Sequence, residues 1–114
     1  MRNFIKPGNS LDFIAPTGGV TSGQGFVVGN FFAVAHTTAA EGESVSGLME
    51  GVVELPKRLS QTFASGGAVS WDVAAKRCDG PGSGKYPIGG AVEAAGNDAT
   101  TVIVRLNGTT TSAA

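Results

Sequence analysis

The stretch Phe26-Val27-Val28-Gly29-Asn30-Phe31-Phe32-Ala33-Val34-Ala35 decides the fold. Two apolar runs flank a two-residue Gly-Asn step. A link that short predicts a tight β-hairpin, because glycine accepts the positive φ that such turns demand.

The same grammar extends in both directions. Residues 11–15 read as a first strand, stopped by Pro16 and the turn Thr17-Gly18-Gly19. Residues 43–55 read as one or two strands, broken near Gly47 or Gly51, and Pro56-Lys57-Arg58 closes that run. Residues 57–63 leave room for one helical turn, too little for a stable helix. Residues 68–73 form a strand with Val69 and Trp71 on one face, Ser70 and Asp72 on the other. Residues 78–85, rich in Gly, Ser and Pro, read as a loop. Residues 88–94 and 101–106 make a last hairpin across Gly96-Asn97-Asp98, with Val102, Val104 and Leu106 on one face. The small, polar tail over 109–114 is expected to fray. Helix formers are sparse while Val, Thr, Ser and Gly dominate. The predicted class is all-β: one small β-barrel or β-sandwich (β-tulip-like) of short strands. A single domain spans 1–114, with an extended N-terminal arm over 1–8.

Composition narrows the function. With 114 residues the chain suits one domain, and only 15% of it is charged, against about 25% in an ordinary soluble domain. Glycine supplies 18 residues. A net charge of −1 offers no electrostatic footprint for nucleic acid or an anionic membrane, so neither is expected as a direct partner. The lone Cys78 forms no internal disulfide and no cysteine metal cluster. The first eight residues carry a cation but no apolar core of signal-peptide length, and Lys6 and Pro7 interrupt them. No stretch approaches the roughly 20 apolar residues of a membrane span.

Each candidate for chemistry has a plainer reading. Gly80-Pro81-Gly82-Ser83-Gly84-Lys85-Tyr86 invites comparison with a phosphate-binding loop. Yet Asp79 stands where that motif needs its first glycine, and Tyr86 where it needs a small hydroxyl. Pro81 also removes a backbone donor. Gly23-Gln24-Gly25 with Gly29 misses the dinucleotide spacing and enters a hairpin rather than a helix. His36 is the only imidazole and reads as a loop-edge residue, with no Gly-x-Ser-x-Gly elbow to serve. Cys78, between Arg77 and Asp79, reads as a passive thiol. Glu41 with Glu43, and Glu50 with Glu54, read as solvated strand edges. Lys57-Arg58 and Lys76-Arg77 read as solvated turn charges without the interleaved aromatics of a nucleic-acid groove. No catalytic residue, cofactor or metal is expected.

An ordered set of segments carries a resemblance over 1–109. It opens with Met1-Arg2-Asn3-Phe4-Ile5-Lys6-Pro7-Gly8-Asn9 and continues through Ser22-Gly23-Gln24-Gly25-Phe26-Val27-Val28-Gly29 and Gly51-Val52-Val53-Glu54-Leu55-Pro56-Lys57. Gly67-Ala68-Val69-Ser70-Trp71-Asp72, Ile88-Gly89-Gly90-Ala91-Val92-Glu93-Ala94-Ala95 and Val102-Ile103-Val104-Arg105-Leu106-Asn107-Gly108 complete it. In this order the chain resembles the tailed-phage and prophage family of capsid cement, or head decoration, proteins. The resemblance implies a non-catalytic structural protein, made in the bacterial host's cytoplasm, that binds the outer surface of the assembled head. The implied partners are the major capsid protein and further copies of the chain, as a homotrimer. A head–tail connector, a surface adhesin and a small hydrolase using His36 are the alternative readings.

Arg2, Asn3, Phe4, Ile5, Lys6 and Pro7 are the candidate capsid-binding residues. Phe4 and Ile5 would serve as apolar anchors, and Arg2 and Lys6 would find acceptors on an acidic shell. The competing reading makes Phe4 and Ile5 an edge strand packed on the domain's own core.

Overall fold

The computed structural model describes residues 9–113. Nine strands follow in chain order: β1 (Ser10–Ile14), β2 (Gly25–Val28), β3 (Phe31–Ala35), β4 (Ser44–Leu48), β5 (Glu50–Pro56), β6 (Ala68–Asp72), β7 (Arg77–Asp79), β8 (Tyr86–Ala91) and β9 (Thr101–Asn107). They form two antiparallel sheets, ordered β1-β4-β3-β2 and β5-β9-β8-β6-β7. The all-β expectation holds, and there is no helix among the described residues. The arm over 1–8 lies outside the described residues.

The hairpin that decides the fold has Val28 paired with Phe31 and Gly29 at φ +60°. Asn30 keeps a negative φ, so the glycine meets the turn's steric demand alone, as in a type II′ turn. The two faces of this hairpin serve two cores. Phe32 and Val34 join Leu55, Val69, Trp71, Ile88, Val102, Val104 and Leu106 in the core between the sheets. Phe26, Ala33 and Ala35 join Phe13, Val45 and Met49 in a second core, enclosed by the first sheet itself.

That second core exists because the first sheet is curled. A flat four-stranded sheet holds its outer strands about 14 Å apart. Phe13 on β1 and Phe26 on β2, the two outer strands, nevertheless meet edge to face with ring centroids 5.5 Å apart. Gly47 in the middle of β4 makes the curl possible. A Cβ there would stand 2.7 Å from Ala33 Cβ and 3.1 Å from both Phe rings. Gly47 is therefore a packing residue, and the expected break near Gly47 or Gly51 falls between them. The break falls at Met49, whose N–H donates to Asn9 O at 2.7 Å, and Gly51 follows at φ +125° as the chain passes into the second sheet.

Two further expectations need correction. Residues 77–79 form a short outer strand, not part of a loop, with Trp71 paired to Cys78. The connecting turn is built by Asp72, whose carboxylate accepts the N–H groups of Ala74 and Ala75, and by Lys76, which at φ +56° takes the left-handed position that a glycine commonly fills. Ser70 is buried with Val69 and Trp71, because it lies between β7 and β8 where the register slips by one residue at Ile88. In the tail, Thr111 N–H donates to Asn30 O at 2.7 Å and Thr111 is buried. That contact sets the end of the described chain against the β2–β3 turn.

Candidate functional site

The residues with chemical potential are occupied by structure. His36 Nε2 lies 3.2 Å from Ser10 Oγ, and among the described residues no carboxylate joins them. Glu41 accepts Gly18 N–H at 3.0 Å, and Glu43 accepts Ala40 N–H at 2.8 Å. Both carboxylates thus fasten loops in place of backbone acceptors. Glu54 accepts the Thr101 hydroxyl. Cys78 is buried, and its pKa is pushed up to about 12, by desolvation first and by neighbouring Asp79 second. At neutral pH it is a protonated, passive thiol.

Lys85 closes the question of the glycine-rich loop. Its ammonium lies 3.2 Å from Asp72 Oδ2 and 3.8 Å from Asp79 Oδ2, so the cation faces carboxylates of its own chain. Asp72 titrates below the usual carboxylate range, chiefly through the Ala75 N–H bond and then through Lys85. Lys57 overturns an expectation. It is buried rather than solvated, and its ammonium donates to the carbonyls of Arg58, Leu59 and Gln61. Its neighbour Arg58 binds Asp79 at 3.0 Å and also reaches Ser60 and Gln61. The cluster tethers the end of β5 to β7, where Lys57 bridges Cys78.

The cavities are small. One of about 110 Å³ lies between β2 and the β6–β7 turn, with Val27, Trp71, Val73 and Lys76 in its wall. Another of about 180 Å³ lies beside Glu54, Glu93 and Thr101. Small-molecule sites usually offer roughly 300–1,000 Å³. Among the described residues no three His, Cys, Asp or Glu side chains gather as a metal site. What the fold does offer is exposed apolar surface: Ile14 at 61%, Val52 at 59% and Leu59 at 58%, with Phe31, Val73 and Val92 also exposed. Ile14 and Val52 stand on outer strands, where partners most readily add. Strand alternation puts Val52 outward between Glu50 and Glu54, a signal present in the sequence that pointed to surface rather than to chemistry.

A family model described as phage cement protein matches residues 5–106. The chain belongs to the phage cement protein family. Membership makes it a structural, non-catalytic component that binds and stabilises the capsid and is located on the virion's capsid surface. Comparison with curated proteins and with solved structures gives no match. The candidate capsid-binding residues Arg2, Asn3, Phe4, Ile5, Lys6 and Pro7 lie outside the described residues, so their contacts are a matter for proposal.

Proposed function

We propose that this protein decorates the outer face of the assembled head as a homotrimer, contacting the major capsid protein through Arg2, Asn3, Phe4, Ile5, Lys6 and Pro7. The observation that carries the reading is the family match over residues 5–106. Exposed Ile14 and Val52 on outer strands and a charge content of 15% support it, since surface covered by partners needs few charges. A subunit that binds the assembled shell and not free coat protein stabilises the shell by linkage. Many modest contacts on one particle then add through multivalency.

Mixing purified protein with undecorated expanded heads tests the reading. Stoichiometric binding and a raised temperature of DNA release are expected, and heads equally heat-resistant without it would refute stabilisation. Native mass tests the trimer. The Arg2→Glu/Lys6→Glu double variant tests the arm: occupancy equal to wild type would remove those residues from the contact.

A further inference from the structure

Two apolar surfaces of the subunit lie in surroundings of opposite charge. One is the groove between β2 and the β6–β7 turn. Phe26, Val27, Trp71 and Val73 wall it, and Lys76 is the one charged residue among the described residues that line it. Val73 is exposed at its rim, and Arg77 follows Lys76. Neither cation joins an ion pair among the described residues, whereas nearby Asp72 and Asp79 are held by Lys85 and Arg58. Residues 1–8 contain no Asp or Glu, so that stretch brings no side-chain carboxylate to them. Among the described residues Lys76 is also the one non-glycine at positive φ, +56°. Glycine meets that conformation with less strain, so the lysine side chain is present there against a backbone cost.

The other surface is the outer face of the second sheet. Val52 pairs across the ladder with Arg105, and Glu54 with Ile103. Val92, just past β8, donates its N–H to Ile103 O at 2.8 Å. Residues opposite one another in a ladder share a face, so Val52, Ile103 and Val92 form an oblique apolar row. Along its strand, Val52 alone of the exposed large apolar residues has an acid two residues to either side, Glu50 and Glu54. Glu93 follows Val92, and it lines a cavity together with Glu54. Arg105 is the one cation paired into this row, so the face is acidic on balance. The groove and that cavity share no lining residue.

We propose that the groove receives the Val52–Ile103–Val92 face of a second copy of this chain, with Val52 entering it and Lys76 and Arg77 set against Glu54 and Glu93. The groove holds about 110 Å³, less than the roughly 150 Å³ that accommodates benzene, so it suits one small aliphatic side chain. An apolar centre with charges at its rim is the anatomy of a specific contact. The charges also select the pairing. Groove against groove would oppose Lys76 and Arg77 to their like, and face against face would oppose the glutamates, so each surface rejects itself and accepts the other. Because the two surfaces differ, copies join head to tail and add until the ring closes. That the ring holds three copies rests on the proposed function; the contact itself does not.

Sedimentation and native mass of the free full-length protein test the contact without any capsid. The wild type is expected to assemble, and less tightly as salt rises. Val73→Asp in the groove and Val52→Asp on the face should each raise the dissociation constant about thirtyfold or more, with circular dichroism unchanged. Lys76→Gly relaxes the turn, so it should weaken assembly without loss of fold. An equimolar mixture of the two aspartate variants should form a 1:1 dimer and nothing larger, because it retains one intact groove and one intact face. A mixture of monomers only would overturn the contact. So would wild-type assembly in both variants; the proposed trimer would then stand on another surface, and loss of head binding in those variants would assign the groove to the shell. A wild-type assembly of another size, with the mixture still dimeric, would keep the contact and refute the trimer. A monomeric wild type would remove both.

Discussion

Adding one methyl group at Gly47 should unfasten the first sheet. The new Cβ would sit 2.7 Å from Ala33 Cβ and 3.1 Å from Phe13 Cε2 and Phe26 Cζ. Non-bonded carbons rest near 3.5–4.0 Å, so β3 must move away from β4 or both rings must turn. Neither is free to do so, because Ala33 is fully buried and the rings pack on each other. Overpacking of this kind costs about 1–3 kcal/mol. Gly47 does not adopt a positive φ, so alanine also gains about 0.4–1 kcal/mol by restricting the unfolded chain. The net expectation for Gly47→Ala is a loss of about 1–2 kcal/mol. For a chain of this length that is a fall in melting temperature of roughly 5–10 °C. Gly96→Ala is the matched control: its φ is also ordinary and a Cβ there meets nothing within 4 Å. That variant should gain the about 0.4–1 kcal/mol without the clash. Thermal and urea unfolding of both variants, with Ala33→Gly added to close a double-mutant cycle, make the measurement. The cycle should show a favourable coupling of about 1 kcal/mol or more. A Gly47→Ala protein as stable as Gly96→Ala, or a cycle with no coupling, would refute the account of the curl.

Three other outcomes follow from buried and paired groups. Cys78 has a folded pKa near 12 against 9.0 in the free thiol, so the unfolded chain loses that proton first. Stability should therefore be intact below pH 9 and decline from pH 9 toward 12; Cys78→Val should flatten that part of the pH profile, and Ellman's reagent should label native Cys78 only after unfolding. Asp72 has the opposite sign, because its folded pKa lies below 3.8. Its stabilisation is present above pH 3.8 and lost on acidification, so Asp72→Asn should lose stability at pH 7 and approach wild type in acid melts. Lys57→Met should cost about 2 kcal/mol by leaving carbonyls of Arg58, Leu59 and Gln61 without their donor, read as a shifted urea midpoint.

What the sequence revealed depended on whether the cause was local. The β2–β3 hairpin was legible because Gly29 carries its own steric signature, and β9 because Val102, Val104 and Leu106 alternate with exposed residues. The packing role of Gly47 is not legible in the sequence, because a glycine that ends a strand and one that admits a neighbour's side chain are the same letter. The deciding atoms belong to Phe13, Phe26 and Ala33 on other strands. Strand β7 was hidden because Arg77-Cys78-Asp79 is too short to alternate, and its turn is made by the Asp72 carboxylate and Lys76 rather than by glycine. Lys57 could not be found from its neighbours' identities, since its acceptors are main-chain carbonyls that exist only once residues 58–61 turn.

The fold uses much of its small supply of charge internally. Lys57 is enclosed by carbonyls, Arg58 and Lys85 are bound to Asp79 and Asp72, and Glu41 and Glu43 fasten loops. Of these, Lys57 and Asp79 are buried, so the charge that meets solvent is somewhat less than the 15% of the composition. Meanwhile Ile14 and Val52 remain uncovered on outer strands. For a domain that lives alone, uncovered apolar residues on strand edges are a route to aggregation. For a subunit that spends its working life against a shell, the same residues are contact surface, and charge placed there would have to be stripped of water on binding. The two accounts differ at Val52: Val52→Lys should leave the fold intact in either case, but it should weaken attachment to heads only if that face is covered in the particle.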